Sequence, residues 1–376
     1  MNRIHWPTLC LAALLFAAPA FALNAPLLTL DDAAVQQVER MASPKNTDYA
    51  TKLTLYWEND GGWAKPLSDT DKHYTAGVGA SISLQAPFVD KLLSLVPSFY
   101  NEFDPNRSDY AMGIVGSLNI YTPGDYTIAK PIYDDRPYAG WTYAGLYFQR
   151  ADRFNSVPVY ESLEVDLGIL GQSSLAENAQ MMIHKFFHYT QPEGWNNQIG
   201  DEPDFDIKYN RRWRLPIWAQ DHYKPSFEIL PEAGATVGSL SDELHVGGVF
   251  RLGWNMPDDF GPGQLSNPED FTGRVPCVCE NWLEDFFTKQ NFYVFARPYG
   301  QFVARNALLQ GDTWHDNNPV TINPDPAFFG VQYGLSQRFA KHFEFTYAWT
   351  SQSHEFQGQH NWDTWATVQF SFYTAW

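Results

Sequence analysis

The chain ends in Thr367-Val-Gln-Phe-Ser-Phe-Tyr-Thr-Ala-Trp376. Successive side chains of a β-strand point to opposite faces, so Val368, Phe370 and Phe372 share one apolar face of a strand that finishes on an aromatic residue. Runs of the same kind recur upstream, among them Lys52-Leu-Thr-Leu-Tyr-Trp57, Val246-Gly-Gly-Val-Phe-Arg-Leu-Gly253 and Phe343-Glu-Phe-Thr-Tyr-Ala-Trp349. Each is close to the ~10 residues that a tilted membrane-spanning strand requires. Reading the whole chain this way gives twelve strands, at 52–60, 73–84, 109–121, 140–150, 157–168, 206–220, 224–238, 242–254, 290–305, 326–339, 341–353 and 363–376.

An even count places both termini on one side of a closed antiparallel barrel. The expected fold is therefore all-β, a 12-stranded antiparallel transmembrane β-barrel, and its last strand resembles the terminal signal read by outer-membrane assembly machinery. Thr374 departs from that signal, because an aromatic is usual there. Composition agrees: aromatics make up 16% of the residues while mean hydropathy is slightly negative, as suits aromatic girdles around a polar interior. Short connections such as 151–158 and 340–342 alternate with long ones, and the segments 85–108 and 255–289 break that alternation.

The N-terminus reads as a secretory signal over 1–22: Arg3 is the positive end, Leu9 to Ala18 the apolar stretch, and Ala20-Phe21-Ala22 the small-residue cleavage site. Residues 23–50 read as an N-terminal periplasmic segment and 51–376 as the outer-membrane barrel. No later stretch approaches the ~20 consecutive apolar residues of a spanning helix. Of three cysteines, Cys10 falls in the signal, and Cys277 and Cys279 are two residues apart in a chain whose alternate Cβ atoms diverge. The formal charge of −18 excludes nucleic acid, whose phosphates require clustered Lys and Arg.

With the N-terminus periplasmic, the connections after strands one, three and five open at the external rim. They carry Asn59-Asp60, Asp134-Asp135-Arg136-Pro-Tyr138 and His184 through Glu202, and Thr75 begins strand two at the same end. Between strands five and six, 175–189 reads as a short helix in an extracellular loop, with Leu175, Ala179, Met182, Ile183 and Phe186 along one side.

Each residue has an ordinary reading. Asn59-Asp60 before Gly61-Gly62 is equally a turn or a pair of metal ligands. His184 on its own reads as a histidine against the barrel wall. His184 and His188 have zinc-ligand spacing, but Lys185 stands where the metalloprotease glutamate would be. Arg136 reads as an ion-pairing or phosphate-binding residue, and Arg211, Arg212 and Arg214 as lumen lining. No Gly-x-Ser-x-Gly elbow occurs.

Taken together, Trp57-Glu-Asn-Asp60, Asp71-Lys-His-Tyr-Thr-Ala-Gly77, Asp134-Asp-Arg-Pro-Tyr-Ala-Gly140, Gln180 through His184, Gly194-Trp-Asn-Asn-Gln-Ile199 and Gly253-Trp-Asn-Met-Pro-Asp-Asp259 resemble, in order, the motifs of the outer-membrane lipid A 3′-O-deacylases. That resemblance implies a Ca²⁺-dependent ester hydrolase that removes the 3′-acyloxyacyl group of lipid A, the lipid anchor of lipopolysaccharide, in the outer leaflet. It implies His184 as general base, Asp60 as Ca²⁺ ligand, and Asn59 and Thr75 completing the site. Lys130 is the candidate for the family's active-site lysine, with Arg136 as a substitute. The glutamate expected six residues after the histidine is Thr190 here, leaving Glu193, Glu202 or no residue to supply a carboxylate. The expected partners are lipopolysaccharide and outer-membrane lipids, with the chain a monomer. The competing readings are a non-enzymatic transport or structural barrel with a wide lumen, and a phospholipase-like barrel.

Overall fold

In the computed structural model, the described residues are 50–61, 71–96, 103, 108–152, 157–218, 225–265, 291–315, 318–339 and 343–375. The signal sequence, the 23–49 segment, Cys277, Cys279 and Trp376 lie outside them.

Along the first strand, β1 (Ala50–Asn59), Lys52, Thr54, Tyr56 and Glu58 are buried, whereas Leu53 and Leu55 are 39% and 44% exposed. The same inversion runs through the sheet: Ile82, Ile114, Leu146, Leu163, Leu167, Phe250, Leu252 and Val294 face outward, while Ser81, Glu161, Glu164, Arg212, Glu232, Arg251 and Arg297 face inward. Polar side chains inside and apolar ones outside make sense only if the outer solvent is hydrocarbon. Among the described residues no helix is long and apolar enough to cross a membrane, so the strands do the crossing.

The further strands are β2 (His73–Leu84), β3 (Asp109–Thr122), β4 (Ala139–Asp152), β5 (Val159–Leu170), β6, β7 (Pro225–Gly238), β8 (Ser241–Trp254), β9 (Asn291–Asn306), β10 (Ala327–Phe339), β11 (Phe343–Gln352) and β12 (Asp363–Ala375). β6 runs in two pieces, Glu202–Trp213 and Leu215–Trp218, both paired with β7. Every neighbour is antiparallel, and the sheet closes where β1 meets β12, with Leu53 opposite Phe372 and Leu55 opposite Phe370. The result is the expected closed barrel of twelve strands, which leaves no unpaired edge.

Inside, ion pairs span the lumen. Glu232 bridges Arg212 and Arg297 at 2.8 and 2.7 Å, Arg338 pairs with Glu344 at 2.8 Å, and Arg251 pairs with Glu228 and Asp259. Asp259 belongs to the connection after β8. Its described part turns into the barrel: Phe260 is buried against Tyr160, and the Leu265 carbonyl accepts from the Tyr143 hydroxyl. That inward turn accounts for one of the two segments that break the alternation of short and long connections. The other begins with a helix, α1 (Pro87–Leu93), whose Val89 and Leu93 are buried. Glu232 and Arg297 themselves line a cavity of ≈ 320 Å³ that is also bounded by Glu58, Tyr74, Tyr143 and Lys208.

The loop helix, α2 (Ala176–Phe187), matches the expected span within two residues, and its buried face is not the apolar side read from the sequence. Ala176, Gln180 and His184, one turn apart, form the buried face. Leu175, Met182 and Phe186 are 61%, 68% and 76% exposed. The rule that an amphipathic helix buries its apolar stripe against protein presumes surrounding water. In contact with hydrocarbon instead of water, an apolar side is favoured outward and polar residues toward the protein.

Candidate active site

The site is built where β1 ends and β2 begins. The Asp60 amide donates to the Thr75 carbonyl at 3.2 Å, which holds the two residues side by side on adjacent strands. Between Tyr74 and Ala76 the β2–β3 register shifts, leaving Thr75 as the extra residue of a bulge. Bulges re-aim side chains, and here Thr75 is buried with its hydroxyl 2.7 Å from that of Thr122. The Thr122 hydroxyl also donates to the Asp71 carbonyl at 3.3 Å. Asp60, 2% exposed, accepts the Lys72 amide at 2.7 Å on Oδ2. Asn59 Oδ1 accepts the Gly61 amide at 2.7 Å, so the Asx turn read from sequence is real and occupies one lone pair of that oxygen.

α2 supplies the histidine. Its first turn sits over β4, where a Cβ on Gly140 would run into Ala176 and the Ser174 hydroxyl, so the glycine permits this close approach. His184, two turns on, is 3% exposed. Its Nε2 lies 2.6 Å from Asp71 Oδ2 and its Nδ1 2.5 Å from the Thr190 carbonyl. The chain can return to make the second contact because His188 ends the helix in the left-handed region at φ 59°. Gln180 donates to the same Asp71 oxygen at 3.5 Å and accepts the Trp195 indole N–H at 2.8 Å. Tyr126 and Tyr189 present their rings edge-on to the imidazole, 5.6 and 5.8 Å away.

Burial pulls the His184 pKa down, but the Asp71 carboxylate and the Thr190 carbonyl outweigh it, and the net shift is upward from 6.5. With a carbonyl on Nδ1 and a carboxylate on Nε2, both nitrogens face acceptors, an arrangement that favours the imidazolium. Asp71, with 16% of its side chain exposed, is the partner open to the rim.

Asn59, Asp60, Thr75 and His184 thus gather at one end of the barrel, linked through Thr122 and Asp71. Sequence reading gave no role to Asp71, Thr122 or Gln180. Asp71 had a usable signal, since a basic histidine needs a carboxylate and Asp71 opens one of the motifs quoted above. Neither candidate glutamate takes that place: Glu193 is exposed, and Glu202 accepts the amides of Thr313 and Trp314. The group on Nδ1 is the main-chain carbonyl of Thr190 itself.

The two cations differ. Arg136 is fully buried, 3.1 Å from Glu355 and stacked 4.5 Å from the Tyr121 ring, so in this conformation it is an internal counter-charge. Lys130 is exposed. Asp135, next to Arg136, accepts the Gly124 amide at 2.6 Å and pairs with His73 at 3.3 Å. Burial raises its pKa, yet these partners leave it below the usual aspartate value.

The sequence matches the profile of the family described as outer membrane protein LpxR over residues 9–374. The chain belongs to the LpxR family. LpxR from Salmonella typhimurium shares its fold at a TM-score of 0.64 and 18% identity, over 85% of this chain and 99% of that one. The beta domain of the Bordetella autotransporter BrkA is more distant, with a TM-score of 0.44 and 7% identity over 86% and 98% of the two chains. A comparison with curated proteins finds no match. Membership in the LpxR family, together with the barrel, places the protein in the bacterial outer membrane.

Proposed function

We propose that this LpxR-family barrel is a Ca²⁺-dependent lipid A deacylase that hydrolyses the 3′-acyloxyacyl ester in the outer leaflet. The observation that carries the reading is His184, held at 2.6 and 2.5 Å between Asp71 and the Thr190 carbonyl on a helix whose opposite face exposes Met182 and Phe186. A base and a lipid-facing surface therefore share one short element. Lipid A brings an ester to such a site together with acyl chains that an exposed apolar face accommodates.

The Thr190 carbonyl keeps a proton on Nδ1, so Nε2 is the nitrogen that takes the proton of the attacking water. Water reaches Nε2 when the Asp71 carboxylate yields its place there, and Asp71 nearby then stabilises the imidazolium that forms. Returned to the departing alkoxide, that proton completes hydrolysis to a free fatty acid and a hydroxyl. Asp60 and Asn59 offer donors made of oxygen alone, as a hard cation requires. Bound there, Ca²⁺ would polarise the ester carbonyl. Lys130 is the exposed cation available to a lipid A phosphate. A monomer suffices, because every group named comes from one chain.

The test is mass spectrometry of lipid A after incubation with detergent-solubilised protein, with Ca²⁺ or with chelator, for wild type, His184→Ala and Asp60→Ala. Loss of the acyloxyacyl mass only from wild type with Ca²⁺ is expected. Unchanged lipid A under every condition, from folded protein, overturns the hydrolase reading, and release of fatty acid from glycerophospholipid alone would make it a phospholipase.

A further inference from the structure

On the same rim, away from His184, a second group of ligating side chains converges. Glu202 is the first residue of β6, where the insertion carrying α2 rejoins the barrel. Asp312 and His315 lie in the connection between β9 and β10, just beyond a short helix, α3 (Ala307–Gln310). One ligand atom from each of the three lies within 4.8 Å of the other two.

The local structure brings them together for identifiable reasons. The Glu202 carboxylate, 2% exposed, accepts the Trp314 amide at 2.9 Å and also that of Thr313, so it clasps the backbone between Asp312 and His315. Asn318 Oδ1 accepts both the Gly200 amide at 3.1 Å and the Asp312 amide at 3.2 Å, and its side-chain amide donates to Asp312. These bonds leave each carboxylate with lone pairs unused.

The exposed His315 imidazole makes no hydrogen bond or ion pair among the described residues. Asp204, buried two residues into β6, is a further carboxylate at this end of the strand. Arg305 is the opposing cation, but its guanidinium donates to the Ser239 carbonyl and the Thr313 hydroxyl. Three carboxylates against one committed guanidinium leave the neighbourhood negative.

We infer that Glu202, Asp312 and His315 form a binding site for a divalent transition-metal ion such as Zn²⁺, tying the base of the α2 insertion to the β9–β10 connection. Ligand atoms around zinc, with bonds of ~2.0–2.2 Å, lie about 3.3–3.6 Å apart in tetrahedral geometry, so a modest inward closure of these three suffices. One nitrogen and two carboxylate oxygens suit zinc, with water in the fourth position. This donor set differs in kind from the all-oxygen pair at Asn59 and Asp60. The inference therefore does not depend on the proposed hydrolysis.

The test is Zn²⁺ binding by calorimetry and elemental analysis on untagged, chelator-stripped full-length protein in detergent. It compares wild type and Asp60→Asn, each with and without His315→Ala, and takes the exposed His360→Ala as control. Because outer-shell changes alone cost about 10–100-fold in metal affinity, loss of a direct ligand should weaken binding by about tenfold or more. The expected result is one equivalent of Zn²⁺ in both wild type and Asp60→Asn, lost with His315→Ala and kept with His360→Ala. His315 is exposed and engaged with no neighbour, so its replacement leaves folding intact. Glu202→Gln, judged by the same binding measurement after circular dichroism shows a folded barrel, must reproduce the loss. No bound Zn²⁺, or binding indifferent to His315→Ala, overturns the site.

Discussion

His184 Nε2 and Asp71 Oδ2 are 2.6 Å apart, joining the helix of the third external loop to a residue two positions before β2. A buried histidine in such a pair is charged more readily than one in water, and Asp71 is the larger of the influences that raise its pKa against the burial that lowers it. A general base must be neutral. The acid limb of the pH–rate profile is therefore expected above the ordinary histidine value of ~6.5. Asp71→Asn should move this limb to lower pH and reduce kcat by about 10²-fold or more, because the imidazolium formed by proton transfer loses its carboxylate. Rates measured from about pH 5 to 9 decide it, and a limb that stays in place would remove Asp71 from the chemistry.

The same pair affects stability. Because the folded-state pKa of His184 is raised, its contribution is complete below the unfolded value and is lost as pH rises through the folded value. The Thr190 side chain plays no part in holding the imidazole, since the bond is to its main-chain carbonyl. Thr190→Ala should keep kcat/KM within about twofold, as expected for a change of under ~0.5 kcal/mol. A loss as large as that of Asp71→Asn would show that the hydroxyl, not the carbonyl, matters.

Met182 and Phe186 stand 68% and 76% exposed on α2. Burying such a side chain in an apolar phase is worth about 1.5–3 kcal/mol. Met182→Ser with Phe186→Ser should therefore raise KM about tenfold or more on lipid presented in bilayers, with little change in thermal stability in detergent. Equal KM for the double variant and wild type on vesicles would show that these residues do not meet lipid.

How much of this was legible in sequence follows from range. Strand alternation is local, so twelve strands, the loop helix and the closing strand could be read residue by residue. Which face of α2 turns inward could not, because that depends on whether the neighbouring phase is water or hydrocarbon. The ligation of His184 was hidden for a different reason. Asp71 reaches it only when β2 and the third external loop meet in space, and Thr190 contributes a carbonyl that every residue possesses. Arg136 shows the same limit: a cation in a polar rim loop looks available to phosphate until the fold buries it against Glu355 and Tyr121. Asn59, Asp60 and Thr75 were singled out through motif order, and the Asp60–Thr75 backbone bond sets Asp60 and Thr75 side by side in the fold.

The lumen supplies the last prediction. Glu232 receives Arg297 through both Nε and Nη2, at 2.7 and 2.8 Å, and Arg212 through Nε at 2.8 Å, with all three side chains buried. Removing the one carboxylate leaves two guanidinium groups facing each other without their shared counter-charge. Breaking a buried pair in this way costs about 3–5 kcal/mol, mostly from the charge left behind. Glu232→Gln should destabilise the barrel by that order in urea-induced unfolding, whereas Arg297→Met alone leaves Glu232 still paired with Arg212 and should cost less. Neither change bears on His184, which sits on the external loop, so lipid A hydrolysis by the fraction that remains folded should be unchanged. In planar bilayers the wild type should show no steady porin-like conductance. An open-channel current in the wild type would mean that these ion pairs do not close the lumen, and would favour a transport role over the enzyme.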